Sequence, residues 1–159
     1  SPGSRSWWMG GWWWRAREVR SVVWDTANGL PWVLFLLRVF VGVGILLHGW
    51  PKLTHPQMGL LGQRGFAGFL QQMGFPLPGF FHLVAVLVEV GGGILLILGV
   101  FTQVVAGLLF LEMLVASYVS YRLGQPYLCV DSKGIEIDLF YAVAALVLFV
   151  AGPGVLAFG

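Results

Sequence analysis

Three ionisable side chains interrupt otherwise apolar stretches of this chain, and their spacing suggests proton chemistry or headgroup binding inside a lipid phase. Arg38 breaks the run from Leu30 to Leu53, Glu89 breaks the run that follows His82, and Glu112 sits midway between Gln103 and Arg122. A charged group at bilayer depth costs at least about 2.5 to 3.5 kcal/mol unless it is paired or hydrated, so each needs a partner. An arginine can donate to carbonyl oxygens, and a carboxylate can take up a proton. His48 and Lys52, at the exit of the first run, add two further donors. With a rise of about 1.5 Å per residue, counted from the end carrying His48 and Lys52, Arg38 lies about 18 Å deep, Glu112 about 15 Å and Glu89 about 10 Å. The expectation is a polar column with Arg38, His48 and Lys52 as ligand-contacting donors and Glu89 and Glu112 as proton acceptors. The plainer alternative is an ion-pair clamp tying three helices together, since structural networks also gather such groups.

Around these residues the chain must supply elements that hold them in lipid. Hydrophobic residues make up 58% of it, charged residues only 10%, and the mean hydropathy is +0.84. A soluble domain carries about 25% charged residues. A length of 159 residues accommodates about four spans of roughly 20 residues and leaves no room for a soluble catalytic domain. The expected fold is an all-α integral membrane four-helix bundle, with spans at about 32–50, 82–100, 103–122 and 135–150. Pro51 is expected to end the first. Between spans, Phe66, Phe69, Leu70 and Met73 recur at helical spacing among glutamines, predicting a short interfacial amphipathic helix over about 64–73. Glu136 and Asp138 fall in the first turn of the last helix, where carboxylates favour the positive end of the dipole.

Residues 1–29 form a separate Trp-rich N-terminal arm ahead of the membrane domain at 30–159. Tryptophan with arginine suits the headgroup layer, because the indole body is apolar while its N–H stays wet. Four crossings would put both termini and the turn near Gly99 on one side. His48, Lys52, His55, His82, Cys129, Asp131, Glu136 and Asp138 would then share the other. Arg15, Arg17 and Arg20 favour cytoplasmic termini by the positive-inside rule.

Several function classes are disfavoured. Cys129 is the single cysteine, so thiol–disulfide chemistry would need a second chain. Three scattered histidines do not make a metal-site spacing. No motif for haem, flavin or nucleotide is present, so any redox cofactor is borrowed and quinone is the one small molecule the polar column suggests. The net charge of +2 suits anionic headgroups, and no nucleic-acid role is read from it.

Arg38, the exit motif His48-Gly49-Trp50-Pro51-Lys52, Gly65-Phe66-Ala67 leading to Gly74-Phe75-Pro76, the run Val88-Glu89-Val90-Gly91-Gly92 and the terminal Gly152-Pro153-Gly154 together resemble the DoxX family of small four-span membrane proteins. The likeness covers about Val33 to Leu156. It implies a four-helix membrane bundle, with Arg38, His48, Lys52 and Glu89 matching the family's polar positions; Glu112 rests on the depth argument alone. Relatives include a subunit of a thiosulfate:quinone oxidoreductase and proteins assembled with thiol-oxidant defence enzymes. The resemblance implies an integral membrane subunit of a quinone-linked oxidoreductase, in a prokaryotic inner membrane, partnered by other subunits or a second copy. The alternative is a non-catalytic anchor or accessory subunit of a larger complex.

Overall fold

A computed structural model describes residues 26–55, 65–128 and 134–158, and these are helical with no strand. Residues 1–25 of the Trp-rich arm, the loop residues Cys129, Asp131 and Lys133, and the 56–64 connection lie outside the described residues, while residues 26–29, expected in the arm, belong to the first helix. Helix α1 runs Thr26–Thr54, α2 Gly65–Gln72 and α3 Pro78–Val86. A single π-turn, Leu87–Gly91, joins α3 to α4, Gly92–Leu98; α5 follows at Thr102–Arg122 and α6 at Ile135–Ala151. Among the described residues, three stretches are long and apolar enough to cross a membrane: Gly29–Thr54, Pro78–Leu98 and Thr102–Arg122.

The first helix does not stop at Pro51 as expected, and continues one turn to Thr54. A proline removes only its own N–H, and the turn is closed around it by Thr54 Oγ1 donating to Trp50 O (2.9 Å) and His55 N donating to Pro51 O (2.9 Å). That extra turn carries Lys52 into the interior. The short helix α2 lies close to the expected 64–73, ended by Gly74 at φ +77°.

Packing is inside-out relative to a soluble domain. Ile45, Leu96, Leu109 and Leu148 are buried where α1, α4, α5 and α6 meet, while Leu36, Phe40, Leu47, Leu108, Phe140 and Val150 are exposed. Large apolar side chains pointing outward on every long helix match a hydrocarbon environment, in which only the backbone must be satisfied internally. The α3–α4 helix runs antiparallel to α1, bringing Gly93 onto Gly42 and Gly99 onto Arg38. A Cβ on Gly42 would sit 2.9 Å from Gly93 O, so these two backbones touch with nothing between them. Gly42→Val is expected to cost about 1 to 3 kcal/mol by overpacking a backbone contact that cannot yield. Denaturation of the purified protein in mixed micelles measures it; wild-type stability in the variant would mean that the helices tolerate separation.

Candidate functional site

The candidate site's side chains are positioned by a change of pitch in the second long helix. At the π-turn one extra residue is accommodated per turn, which rotates the residues beyond it by about 100° around the axis. Glu89 sits in the middle of that turn and is fully buried. Gly49 on α1 faces it, and a Cβ there would come 2.6 Å from Glu89 Cβ, so the missing side chain is what admits the π-turn this close.

From α1, Lys52 Nζ donates to Glu89 Oε1 at 2.6 Å, and His48 Nε2 stands 3.8 Å from the same oxygen. The Glu89 side chain is 1% exposed and that of Lys52 21%, making this an ion pair with one end well inside the protein. His82 holds the lysine's backbone: its Nε2–H donates to Lys52 O at 3.2 Å. That carbonyl is available because the residue four positions on is Pro56, which has no N–H. The sequence alone shows both residues, but not that one histidine would serve the other helix's backbone.

Lys52, His48 and Glu89 border a cavity of about 480 Å³. Its origin is a divergence of helices. Beyond the tight turn at Gly99, whose φ of +74° suits glycine, α5 packs on α4 and the π-turn, whereas α3 leans onto α1 and α2. The gap so left between α3 and α5 is lined by His48, Lys52 and Glu89, by Val84 and Val88 of the second long helix, and by Glu112, Ala116 and Ser120 of α5. Leu70 of α2 and Phe75 close over it, so the short helix acts as part of a wall. Small-molecule sites commonly enclose about 300 to 1,000 Å³, mostly apolar with a few convergent polar groups.

Of the residues expected to form one polar column, the structure brings His48, Lys52, Glu89 and Glu112 to this cavity and leaves Arg38 out of it. Arg38 is fully buried, yet its partners are backbone carbonyls: Nη1 donates to Pro153 O and Nη2 to Leu156 O, each at 3.0 Å. Its guanidinium also lies 5.3 Å from the centroid of the Phe35 ring. The segment after α6 folds back across the end of the molecule to reach it, with Val155 N donating to Pro31 O and Phe158 N to Gly99 O. No carboxylate comes within 4.0 Å of Arg38 among the described residues.

Sequence reasoning missed Ser120. It lines the cavity and donates to Asp138 Oδ2 at 3.2 Å, and Asp138, at the start of α6, is fully buried. The signal was present in the spacing: Glu112, Ala116 and Ser120 recur every four residues and so share one face of α5 with the cavity. Among the described residues no group of three or more His, Cys, Asp or Glu could hold a metal ion.

Comparisons with known proteins agree with the helical membrane architecture. The DoxX family profile matches residues 33–122. An uncharacterised Haemophilus influenzae protein is 32% identical over 125 residues, covering 78% of this chain and 86% of its own. The Escherichia coli inner membrane protein YphA is 27% identical over 135 residues, covering 82% and 90% respectively. The Bacillus subtilis protein CatD, named as a candidate oxidoreductase, is 29% identical over 122 residues, covering 77% and 81%. No solved structure matches the chain.

Proposed function

Because the chain belongs to the DoxX family, we propose that it is the membrane subunit of a quinone-linked oxidoreductase whose cavity between α3 and α5 receives the quinone headgroup. The observation that carries this reading is a cavity of about 480 Å³, apolar over most of its wall and bordered on one side by the Lys52–Glu89 pair. An apolar ring with polar oxygens matches that division of surface. The likeness to CatD supports the oxidoreductase class.

In this reading Lys52 and His48 donate to a quinone oxygen, and Glu89 and Glu112 take up or release the protons that accompany its two-electron chemistry. Electrons come from a partner subunit. Arg38 takes no part in the chemistry and fastens the end of the chain. Helix α6 serves as a fourth crossing beside the three longer stretches, the termini are cytoplasmic, and the Trp-rich arm at 1–29 lies among lipid headgroups or docks the partner.

Filling the cavity tests the proposal without touching its charges. Ala116→Phe projects a ring into the cavity wall. It is expected to weaken binding of a short-chain ubiquinone analogue to the detergent-purified chain about 10-fold, with stability retained. Binding of the analogue at wild-type affinity in this variant would remove the cavity from consideration. The chain would then be better described as an anchor for its partner.

A further inference from the structure

We propose that the cavity selects the reduced, dihydroxy form of its ligand over the dione, through Ser120 held by Asp138. The inference rests on the quinone reading and deepens it. A serine hydroxyl has one proton to give and two lone pairs to offer. Here the proton goes to Asp138 Oδ2 at 3.2 Å, and Asp138 is fully buried at the start of α6. A carboxylate oxygen accepts hydrogen bonds, and this one takes the serine's single proton.

Ser120 therefore presents lone pairs, and no proton, to the cavity that it lines. The start of α6 that carries Asp138 is itself fixed, since Ile135 N donates to Pro126 O at 3.3 Å and Glu136 N to Tyr127 O at 3.2 Å. The other polar wall is different in kind. Lys52 can donate and Glu89 can accept, so that wall suits either a carbonyl or a hydroxyl. Discrimination falls to Ser120, one residue of an α5 wall that also carries Glu112, whose proton exchange suits either form. A dione oxygen facing Ser120 would set acceptor against acceptor and leave both without a proton, whereas a quinol O–H donates to the serine.

A ligand with an oxygen at each end of a six-membered ring fits a cavity bordered by polar groups on both its α1 side and its α5 side. The matched ligand class is a para-hydroquinone, with one hydroxyl toward Lys52 and Glu89 and the other toward Ser120. Asp138 acts on the ligand only through the serine and is a positioning residue.

The test compares 1,4-dihydroxynaphthalene with 1,4-naphthoquinone, each titrated into the detergent-purified full chain under argon by equilibrium dialysis. Wild-type protein is expected to bind the dihydroxy compound roughly 2- to 10-fold more tightly, as one hydrogen bond is worth. Ser120→Ala should abolish that ratio by weakening the dihydroxy form and relieving the opposition of acceptors that disfavours the dione. In Asp138→Asn the amide can donate to Ser120 Oγ and release the serine proton toward the cavity, so the preference should shift toward the dione. Equal binding of the two compounds by wild-type protein, or an unaltered ratio in Ser120→Ala, overturns the inference while leaving the quinone reading intact. Failure of both compounds to bind wild-type protein overturns the quinone reading as well.

Discussion

Lys52→Met is expected to destabilise the protein by about 3 kcal/mol, because it removes one partner of a buried charge pair and strands the other. The substitution keeps the length and apolar stem of the side chain, so packing is nearly conserved. What changes is the environment of Glu89, whose side chain is 1% exposed and whose Oε1 receives the lysine at 2.6 Å. His48 stands farther off, at 3.8 Å, and offers only partial replacement. Adding Glu89→Gln to Lys52→Met removes the stranded charge and should restore most of the loss. Denaturant titration of the four proteins in mixed micelles gives the coupling directly. Additive losses across the cycle would mean that the pair contributes no interaction of its own.

Arg38→Met is expected to cost a similar amount, about 3 kcal/mol, but to act in another part of the molecule. Two charge-assisted hydrogen bonds to Pro153 O and Leu156 O disappear, each typically worth roughly 1.5 to 3 kcal/mol. Losing them frees the segment beyond α6. Hydrogen exchange should therefore rise first at the amides of Val155 and Phe158, which donate to Pro31 O and Gly99 O. Amides near Leu109, in the buried centre, should keep their protection. Binding of a quinone analogue should persist, since Arg38 does not line the cavity. Equal acceleration of exchange throughout the chain would contradict a local fastening role.

The contrast between these two cations marks where sequence reasoning succeeded. Apolar runs and their interruptions are written in composition, so the three membrane-length stretches, the short α2 helix and the inward position of Glu89 could be read directly, whereas the inward position of Lys52 depends on the extra turn past Pro51. The Arg38 partners could not. Backbone carbonyls carry no side-chain signature, and an argument from depth naturally assigns a buried cation to the nearest carboxylates. Gly152-Pro153-Gly154 reads as a helix stop, and nothing in it announces that the residues beyond return to α1. The π-turn was hidden for a related reason: Leu87-Val88-Glu89-Val90-Gly91 has the same composition whether wound with four or five residues per hydrogen bond. The extra turn past Pro51 is not legible in the sequence, where a proline reads as a terminator, although side-chain and backbone donors close the turn around it.

The cavity is a case between these. Its polar members were named from their types, yet its existence depends on α3 leaning away from α5, a choice made by tertiary packing. Once that divergence is known, the fourfold spacing of Glu112, Ala116 and Ser120 explains why polar and small residues sit on that face of α5.

The two carbonyls that receive Arg38 lie 115 and 118 residues later in the chain. At a ribosomal speed of about 5 to 20 residues per second, they emerge roughly 6 to 23 s after the arginine does. During that interval the guanidinium must borrow water or lipid phosphate, so the nascent first helix sits shallow or tilted until Pro153 and Leu156 have been made. Docking of Arg38 is thus timed by residues that follow it by more than a hundred positions, and nascent chains arrested before Pro153 should leave Arg38 reachable from the aqueous side.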